Sequence, residues 1–439
     1  MAATEICNMS SKLSTMSLQR PPSASWSNLP LELMESILQK LTIMDYLECR
    51  KVCQSWRTMV YVSLSTKAKC PPKPQFPLLL SLPTPPTNCP LTLLNLTQNK
   101  LHYLCGDVSM SNSGLRVSSV NGWLIFQKFC YEPSSRESHV LIWFYNPVSN
   151  AKIILPRLPL FPKYDIEHQK YGPSKVVISS LPDSPDSLVA YFVSCLCDGG
   201  LEQQVSFCKI ANKPWTQIAE TGEFFTDIEF RGCKLYAMIN DDRMFDRSNY
   251  DFMVVINLGD CNAVTSERVM AFLDRDLCFN PKRNFRYNNN TKHHYYSKEK
   301  RFLVRDSTSG DLLLVLHLAE YMRKPGCNNY YLHSTNGFRV FKLDAIGGLS
   351  WSMIDSFSDR FLLFDASGVQ VVSSTNIVGP WKPIRDNCIY FSLSNVFPNS
   401  RFPEHNIGVY SLTHDSITNF HSNFLSQVSS RNLWFIPSL

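Results

Sequence analysis

The sequence predicts an α+β multidomain protein in which a small helical unit precedes a much larger all-β domain. Three observations support this prediction. Apolar residues of segment 26–60 recur at the 3.6-residue spacing of a helix. From Phe76 onward, short runs rich in Val, Ile, Leu, Phe and Tyr alternate with Gly, Asn, Asp, Ser and Pro. These runs also recur as similar units, so the β domain is expected to be a repeat structure.

Length and composition are those of a globular protein. The chain has 439 residues, 44% of them hydrophobic, and a thinly spread net charge of +6, so a nucleic-acid partner is not favoured. Its fifteen cysteines are scattered, which is typical of reduced thiols in the cytoplasm or nucleus. The N-terminus has no continuous apolar segment, so we expect no secretory signal. The longest apolar stretch, 312–319, is too short to span a membrane.

Residues 1–25 are predicted to be a flexible Ser-rich tail, and the first helix follows them. Asn28 is the expected N-cap and Pro30 suits the first turn, so the helix is expected to start near Leu29. A second cap is available at Thr42, ahead of a second and a third short helix. A unit of about 35 residues cannot bury all this apolar surface by itself. It therefore needs a partner surface, either in this chain or on another protein.

The helical segment also carries a specific motif. The pattern is LPxEL, then IL, L and D, and finally VCxxW, over residues 29–56. It resembles an F-box, a domain that docks on the Skp adaptor of cullin-RING ubiquitin ligases. The alternative is a three-helix cap folded onto the next domain. The resemblance implies an F-box at 26–66 with adaptor-binding residues Leu29, Pro30, Leu33, Ile37, Leu38, Leu41, Val52, Cys53 and Trp56.

A proline-rich linker is predicted at 67–75, and the β domain at 76–439. Each repeat unit contains about four strands, which describes the blade of a β-propeller. The apolar terminal segment 432–439 is expected to add a strand to the first unit and so close the ring. A β-sandwich or two smaller β domains is the alternative. Six blades are expected, with seven as the alternative. The six repeat units lie near 76–110, 115–158, 174–220, 224–275, 300–357 and 360–425.

The C-terminal part carries a second resemblance. Segments 379–391, 407–412 and 434–439 resemble the C-terminal end of plant F-box proteins with a kelch-like propeller, the KIB group. This resemblance implies a substrate-receptor subunit of a Skp–cullin–F-box E3 ubiquitin ligase, without catalytic activity of its own. Its partners would be the adaptor, a cullin held through the adaptor, and a protein target, for which the family suggests a kinase of the glycogen-synthase-kinase type. The alternative is an F-box protein that sequesters or scaffolds a partner without ubiquitination.

Signals for enzyme chemistry are weak. His293 and His294 lie in a polar, basic segment without an acidic or cysteine ligand beside them, so neither a metal nor a cofactor is expected. No phosphate-binding glycine loop or nucleophile motif occurs in a fitting context. An enzyme built on the propeller is the third class of function, and a metal or a substrate would then change its stability.

The most unusual surface feature is the basic, aromatic segment 281–299, interpreted as an inter-strand loop. Its Lys and Arg residues are interleaved with aromatic residues, and Arg and Tyr are enriched in protein interfaces. An insertion without a partner is the alternative. The candidate target-binding residues are Arg286, Tyr287, Tyr295 and Tyr296.

Overall fold

The computed structural model divides the chain into two compact units, Met1–Lys73 and Pro74–Leu439. The predicted tail and linker, 1–25 and 67–75, lie outside the residues that the structure describes. None of the described helices is long and apolar enough to cross a membrane. The described residues are 26–65, 77–81, 91–96, 100–104, 115–132, 134–135, 137–160, 170–197, 200–211, 214–218, 224–239, 250–258, 264–278, 286–288, 293–323, 331–345, 348–357, 359–374, 386–394, 405–420 and 432–437.

Three short helices make up the first unit, as the sequence predicts. They are α1 (Leu31–Leu38), α2 (Ile43–Cys49) and α3 (Gln54–Ser65), preceded by a 3-10 turn at Trp26–Asn28. The predicted start of the first helix was wrong, since Pro30 and not Asn28 is its N-cap. The Leu33 N–H donates to the Pro30 carbonyl at 3.1 Å. Because a residue before proline is disfavoured in the helical conformation, Leu29 stays outside the helix.

Helix α2 has the cap that the sequence predicts. The Asp45 N–H donates to Thr42 Oγ1 at 3.3 Å, and the Thr42 N–H donates to the Asp45 carboxylate at 3.0 Å. This reciprocal capping box satisfies two N–H groups that have no partner inside the helix. It fixes the start of α2, so that the inward faces of the three helices meet in one small core. The core residues are Met34, Leu38, Tyr46, Cys49, Trp56 and Val60.

The second unit is a β-propeller. In its first three blades, neighbouring strands pair in antiparallel fashion. Blade 1 contains β1 (Leu78–Ser81), β2 (Leu91–Asn95) and β3 (Lys100–Leu104); blade 2 contains β4 (Leu115–Val120), β5 (Trp123–Glu132), β6 (Glu137–Asn146) and β7 (Ala151–Ile154), with β8 (Leu158–Pro159) beside β6; blade 3 contains β9 (Lys170–Ile178), β10 (Leu188–Cys197), β11 (Gly200–Lys209) and β12 (Thr216–Gln217).

Blades 4 and 5 share one nine-stranded sheet, because their outer strands pair in parallel and place Leu273 opposite Trp351. Blade 4 contains β13 (Phe225–Arg231), β14 (Lys234–Ile239), β15 (Tyr250–Asn257) and β16 (Thr265–Leu273). A short strand, β17 (Arg286–Asn288), follows it in the chain. Blade 5 contains β18 (His293–Arg305), with which β17 pairs, and also β19 (Leu312–Arg323), β20 (Tyr331–Asp344) and β21 (Ser350–Met353).

Blade 6 departs from the simple antiparallel pattern. Its strands are β22 (Arg360–Asp365), β23 (Gly368–Ser373), β24 (Cys388–Ser394), β25 (His405–Ser411) and β26 (Ser416–Asn419). Strands β22 and β24 pair in parallel, and β23 folds back to become the edge strand of the sheet. The described strands thus group into six blades, at the positions of the six units that the sequence predicts.

The first recurring turn has the conformation that its residues favour. Asn121 and Gly122 join β4 to β5, with φ of 44° and 80°. A two-residue hairpin turn with positive φ at both positions is the type for which Asn-Gly is the preferred sequence. The apolar run after this turn becomes β5, the second strand of its blade, and the corresponding runs of three other blades become β10, β14 and β19.

The C-terminal segment closes the ring, which confirms the prediction. Strand β27 (Asn432–Phe435) pairs antiparallel with β1 and places Trp434 opposite Leu79. The Trp434 N–H donates to the Asp365 carboxylate of blade 6 at 2.8 Å, and its indole Nε1 donates to the Phe364 carbonyl at 3.2 Å. Its own carbonyl accepts a hydrogen bond from the Ser119 hydroxyl of blade 2. One strand therefore links the first blade to both of its neighbours.

Apolar side chains fill the spaces between adjacent blades. Between blades 3 and 4, Phe192 and Phe207 pack in one cluster with Phe230 and Ile256. Comparable clusters lie between blades 2 and 3, 4 and 5, 5 and 6, and 6 and 1. Because the blade faces are buried against one another, the propeller offers partners its strand ends, its outer edges and its central cavity.

Candidate functional site

The nine candidate adaptor-binding residues differ in burial, although the motif treats them alike. Leu33 and Val52 are 53% and 60% exposed, and Pro30 is also exposed. These three are available to a partner without any rearrangement of the helices. The half-buried residues are Leu29, Ile37, Leu41 and Cys53, and the buried ones are Leu38 and Trp56.

Leu38 and Trp56 belong to the interior of the first unit. Leu38 is 0% and Trp56 9% exposed, and both pack in the core with Tyr46. The Trp56 indole Nε1 donates to the Trp26 carbonyl at 2.9 Å. The assignment of these two residues to adaptor binding stays a prediction, and in the free chain both are core residues. They position the helices whose outer faces would make the contact.

Other exposed apolar residues were missed by the motif. Trp26, Leu31, Tyr61 and Val62 are between 48% and 69% exposed. Arg50 fixes the ring of Tyr61, since its guanidinium donates to the Tyr61 hydroxyl at 2.6 Å and lies 4.6 Å from the ring centre. Exposed apolar side chains in such number on a small unit indicate an interaction surface. The sequence could have indicated these additional exposed residues, because segment 26–60 contains more apolar residues than three short helices can bury.

The expected loop at 281–299 is in large part a strand. Residues 293–299 form the first half of β18, which pairs with β17 on one side and with β19 on the other. Residues 281–285 and 289–292 lie outside the described part of the chain. The interpretation of this segment as a single loop was wrong, because residues 294–299 pair with β19 as part of the continuous strand β18.

The candidate target-binding residues of this segment do not share one face. The backbone pairing places Arg286 opposite Tyr295. Tyr295 and Tyr296 are consecutive in a strand and so point to opposite faces of the sheet. Tyr295 makes an edge contact with His333 at 5.2 Å between ring centres, and Tyr296 stacks on Tyr321 at 5.3 Å. The aromatic residues therefore form two patches, one on each side of the extended sheet.

A central cavity is the site that sequence reasoning missed. Its volume is about 1010 Å³, and residues from the inner strand of every blade, β4, β9, β13, β18, β23 and β27, line it. Its cationic side chains are Arg116, Lys175, Arg301 and Arg305, and Asp227 and Glu229 are its carboxylates.

An ion-pair network ties three blades together at this cavity. The ammonium of Lys175, on β9, lies 3.0 Å from Asp227 Oδ1 and 3.6 Å from Glu229 Oε2, both on β13. It also donates to the carbonyl of Leu303, on β18, at 2.8 Å. The Leu303 N–H in turn donates to Asp227 at 2.7 Å. Each charged group is thus satisfied by a partner on another blade, as buried charges require.

Burial and charge act in opposite directions on the pKa values of this network. Burial alone would lower the pKa of Lys175, but the two carboxylates outweigh burial and raise it. Burial raises the pKa of Asp227 and of Glu229 by more than the Lys175 ammonium lowers them. The Lys175 ammonium therefore stays protonated between the two acidic side chains.

A family model described as the KIB1-4 beta-propeller matches residues 93–411, which is well over half of the chain. The chain belongs to the KIB1-4 beta-propeller family. An F-box domain model matches residues 26–63, which cover α1, α2 and most of α3. The match to the KIB1-4 propeller stops before β27, so the structure alone assigns the closing strand to this domain.

Curated relatives match this chain over nearly its full length. The Arabidopsis thaliana chain At5g66830, named as an F-box protein, is 22% identical over 422 residues, which is 94% of this chain and 93% of that protein. At4g22165 of the same plant, also named as an F-box protein, is 23% identical over 437 residues, 94% of this chain and 97% of that protein. Among solved structures, the periplasmic gluconolactonase of Pseudomonas aeruginosa has a TM-score of 0.33 at 9% identity, over 82% of this chain and 99% of that one, too distant for any inference.

An F-box followed by a KIB1-4 propeller is an architecture typical of adaptors without catalytic activity. No group of three or more His, Cys, Asp or Glu side chains that could hold a metal ion occurs among the described residues. His294, one of the two histidines considered above, lies on β18 opposite Tyr287.

Proposed function

We propose that this protein is the substrate-receptor subunit of a Skp–cullin–F-box E3 ubiquitin ligase. Its F-box unit binds a Skp-type adaptor and, through it, a cullin. Its KIB1-4 propeller binds the protein that is ubiquitinated. The observation that carries the proposal is the F-box match at 26–63, on helices that expose Leu33 and Val52. Two binding surfaces on one chain raise the effective concentration of the target beside the ligase.

Adaptor binding is tested by charging this apolar surface. Leu33→Asp and Val52→Asp each place a carboxylate where an apolar contact would form, without touching the core of the helical unit. Burying one such side chain contributes about 1.5–3 kcal/mol, so each variant should bind the adaptor at least about tenfold more weakly. Co-purification of a tagged chain with the adaptor at matched expression measures this effect.

Ile154→Asp is the matched control, since Ile154 is an aliphatic residue on β7 of the propeller and is 65% exposed. It should leave co-purification with the adaptor unchanged. Equal adaptor yield from the wild type, Leu33→Asp and Val52→Asp would contradict the F-box role. If the adaptor binds but the amount of captured target does not rise with a proteasome inhibitor, the protein acts as a scaffold or sequestering protein.

We place the target-binding surface at the extended end of blade 5. Strands β18, β19 and β20 have 13, 12 and 14 residues, longer than the other described strands, so that their ends project beyond the blade. The family suggests a kinase as target. Replacing Arg286, Tyr287, Tyr295 and Tyr296 together by alanine should abolish target capture and spare adaptor binding. Unchanged capture would move the target site elsewhere on the propeller.

The cytoplasm or the nucleus is the proposed location. The described cysteines are free thiols, including the buried Cys195, Cys208 and Cys388. Thiols persist where glutathione and thioredoxin keep proteins reduced. Fluorescent tagging of the full chain tests this location, and a secreted or vacuolar signal would refute it.

A further inference from the structure

The two faces of the extended sheet in blade 5 differ in charge. Successive residues of a strand point to opposite faces of its sheet, so Tyr296, Lys298 and Lys300 share one face of β18. Glu299 and Arg301 lie on the other face, where Arg301 Nε and Glu299 Oε1 form an ion pair at 3.2 Å. We call the face with Tyr296, Lys298 and Lys300 the lysine face. The sheet itself separates its two ammonium groups from the Glu299 carboxylate.

The lysine face has no acidic residue of its own on β18 and β19. It comprises the even-numbered residues of 294–300 and, through the backbone pairing, the odd-numbered residues of 317–323, and none of these is Asp or Glu. Glu320 pairs with Ser297 and so belongs to the opposite face. Lys298 and Lys300 are exposed, and neither forms an ion pair within the described part of the chain. The positive charge of the lysine face is therefore not offset locally.

The surroundings of Lys300 disfavour its charge. Its ammonium lies 5.2 Å from the centre of the Tyr321 ring, which also stacks on Tyr296 at 5.3 Å. Desolvation of the ammonium lowers the pKa of Lys300, and no carboxylate counteracts this effect. Lys175 is the contrast, since two carboxylates raise its pKa despite burial. A carboxylate brought by a partner would therefore gain more at Lys300 than at a fully hydrated lysine.

We propose that the lysine face binds an acidic, extended segment of the target protein, an inference that rests on the target-binding role proposed above for the end of blade 5. Lys298 and Lys300 are two residues apart on one strand, so their Cα atoms are about 7 Å apart. Alternate residues of an extended peptide have the same spacing, so acidic residues at two alternate positions pair with the two lysines. An aromatic residue of the segment packs on Tyr296, which is half-buried. A basic segment is rejected by like-charge repulsion.

Three fluorescein-labelled peptides of equal length test the proposal on the purified full-length chain. In the first, glutamate alternates with tyrosine and serine; in the other two, glutamine or lysine replaces every glutamate. Fluorescence anisotropy should show saturable binding of the glutamate peptide only, and added sodium chloride should weaken it. A labelled oligothymidylate that bound more tightly, at the same lysines, would overturn the proposal in favour of a nucleic-acid surface.

Lys298→Glu and Lys300→Glu locate the site, since each replaces an attraction by a repulsion. Each should weaken binding of the glutamate peptide by about tenfold. Lys152→Glu is the matched control, because Lys152 is an exposed lysine of blade 2 whose ammonium also lies over an aromatic ring, 5.7 Å from the centre of Trp143. It makes the same change in net charge and should leave peptide binding within about twofold of the wild type, since long-range charge is screened.

The proposal is overturned if the glutamate peptide does not bind saturably, or if the glutamine peptide binds equally well. It is equally overturned if both lysine-face variants, folded by circular dichroism, bind like Lys152→Glu. Co-purification with the adaptor separates this proposal from the receptor role, because the lysine face lies on the propeller and not on the F-box unit. Loss of peptide binding with intact adaptor binding refutes the lysine face alone, whereas a wild-type chain that binds the peptide but no adaptor refutes the receptor role.

Discussion

Replacing Trp434 by alanine is expected to destabilise the propeller by about 3–5 kcal/mol. The indole is 0% exposed and packs with Leu79, Phe361 and Tyr390 between blades 6 and 1. Its Nε1 donates to the Phe364 carbonyl at 3.2 Å. The variant leaves a cavity at the seam of the ring and a buried carbonyl without its donor, and both effects cost free energy. Domains are commonly stable by only about 5–15 kcal/mol, so the loss should be large on that scale.

Urea unfolding of the full chain, followed by the β-sheet signal in far-UV circular dichroism, measures the change. Ile154→Ala is the control, because that side chain is 65% exposed and its loss should cost no more than about 0.5 kcal/mol. Trp434→Phe keeps most of the buried volume and should lie between the two. If Trp434→Ala unfolds at the same urea concentration as Ile154→Ala, the C-terminal strand does not hold the ring together. Deleting residues 432–439 should then also be tolerated, whereas ring closure predicts an insoluble product.

Three further predictions follow from the same structure. Deleting residues 1–73 should leave a soluble protein with a β-type circular dichroism spectrum, because the propeller is a compact unit of its own; an insoluble product would show that it needs the F-box. Gly408→Ala should destabilise by about 1–3 kcal/mol, since a Cβ there would lie 2.7 Å from Phe391 Cζ, and an unchanged urea midpoint would contradict this contact. Burial raises the pKa of Asp365. The stabilisation of the fold that comes from its protonated form is therefore fully present below the unfolded pKa of about 4, and it is lost as the pH rises through the folded pKa. Asp365→Asn should flatten this part of the curve of stability against pH, and an unaltered slope would show that Asp365 is not the group responsible.

Much of the local structure was determined by the sequence itself. The F-box motif, the cap at Thr42, the Asn121-Gly122 turn and the positions of the strands all depend on residues close together in the chain. Side-chain periodicity, capping and turn conformation are set by neighbours within a few residues. A sequence read in short windows therefore contains the information that these elements need.

Burial and long-range contact were decided only by the tertiary structure. The motif could not separate the buried Trp56 from the exposed Val52, because apolar residues recur on both faces of the helical unit. The parallel pairing of β22 with β24 required the intervening strand to fold back. Lys175 and the carbonyl of Leu303 are 128 residues apart in the chain but 2.8 Å apart in space. The charged cavity forms only because ring closure brings six inner strands together. No local pattern in the sequence predicts that these strands lie side by side.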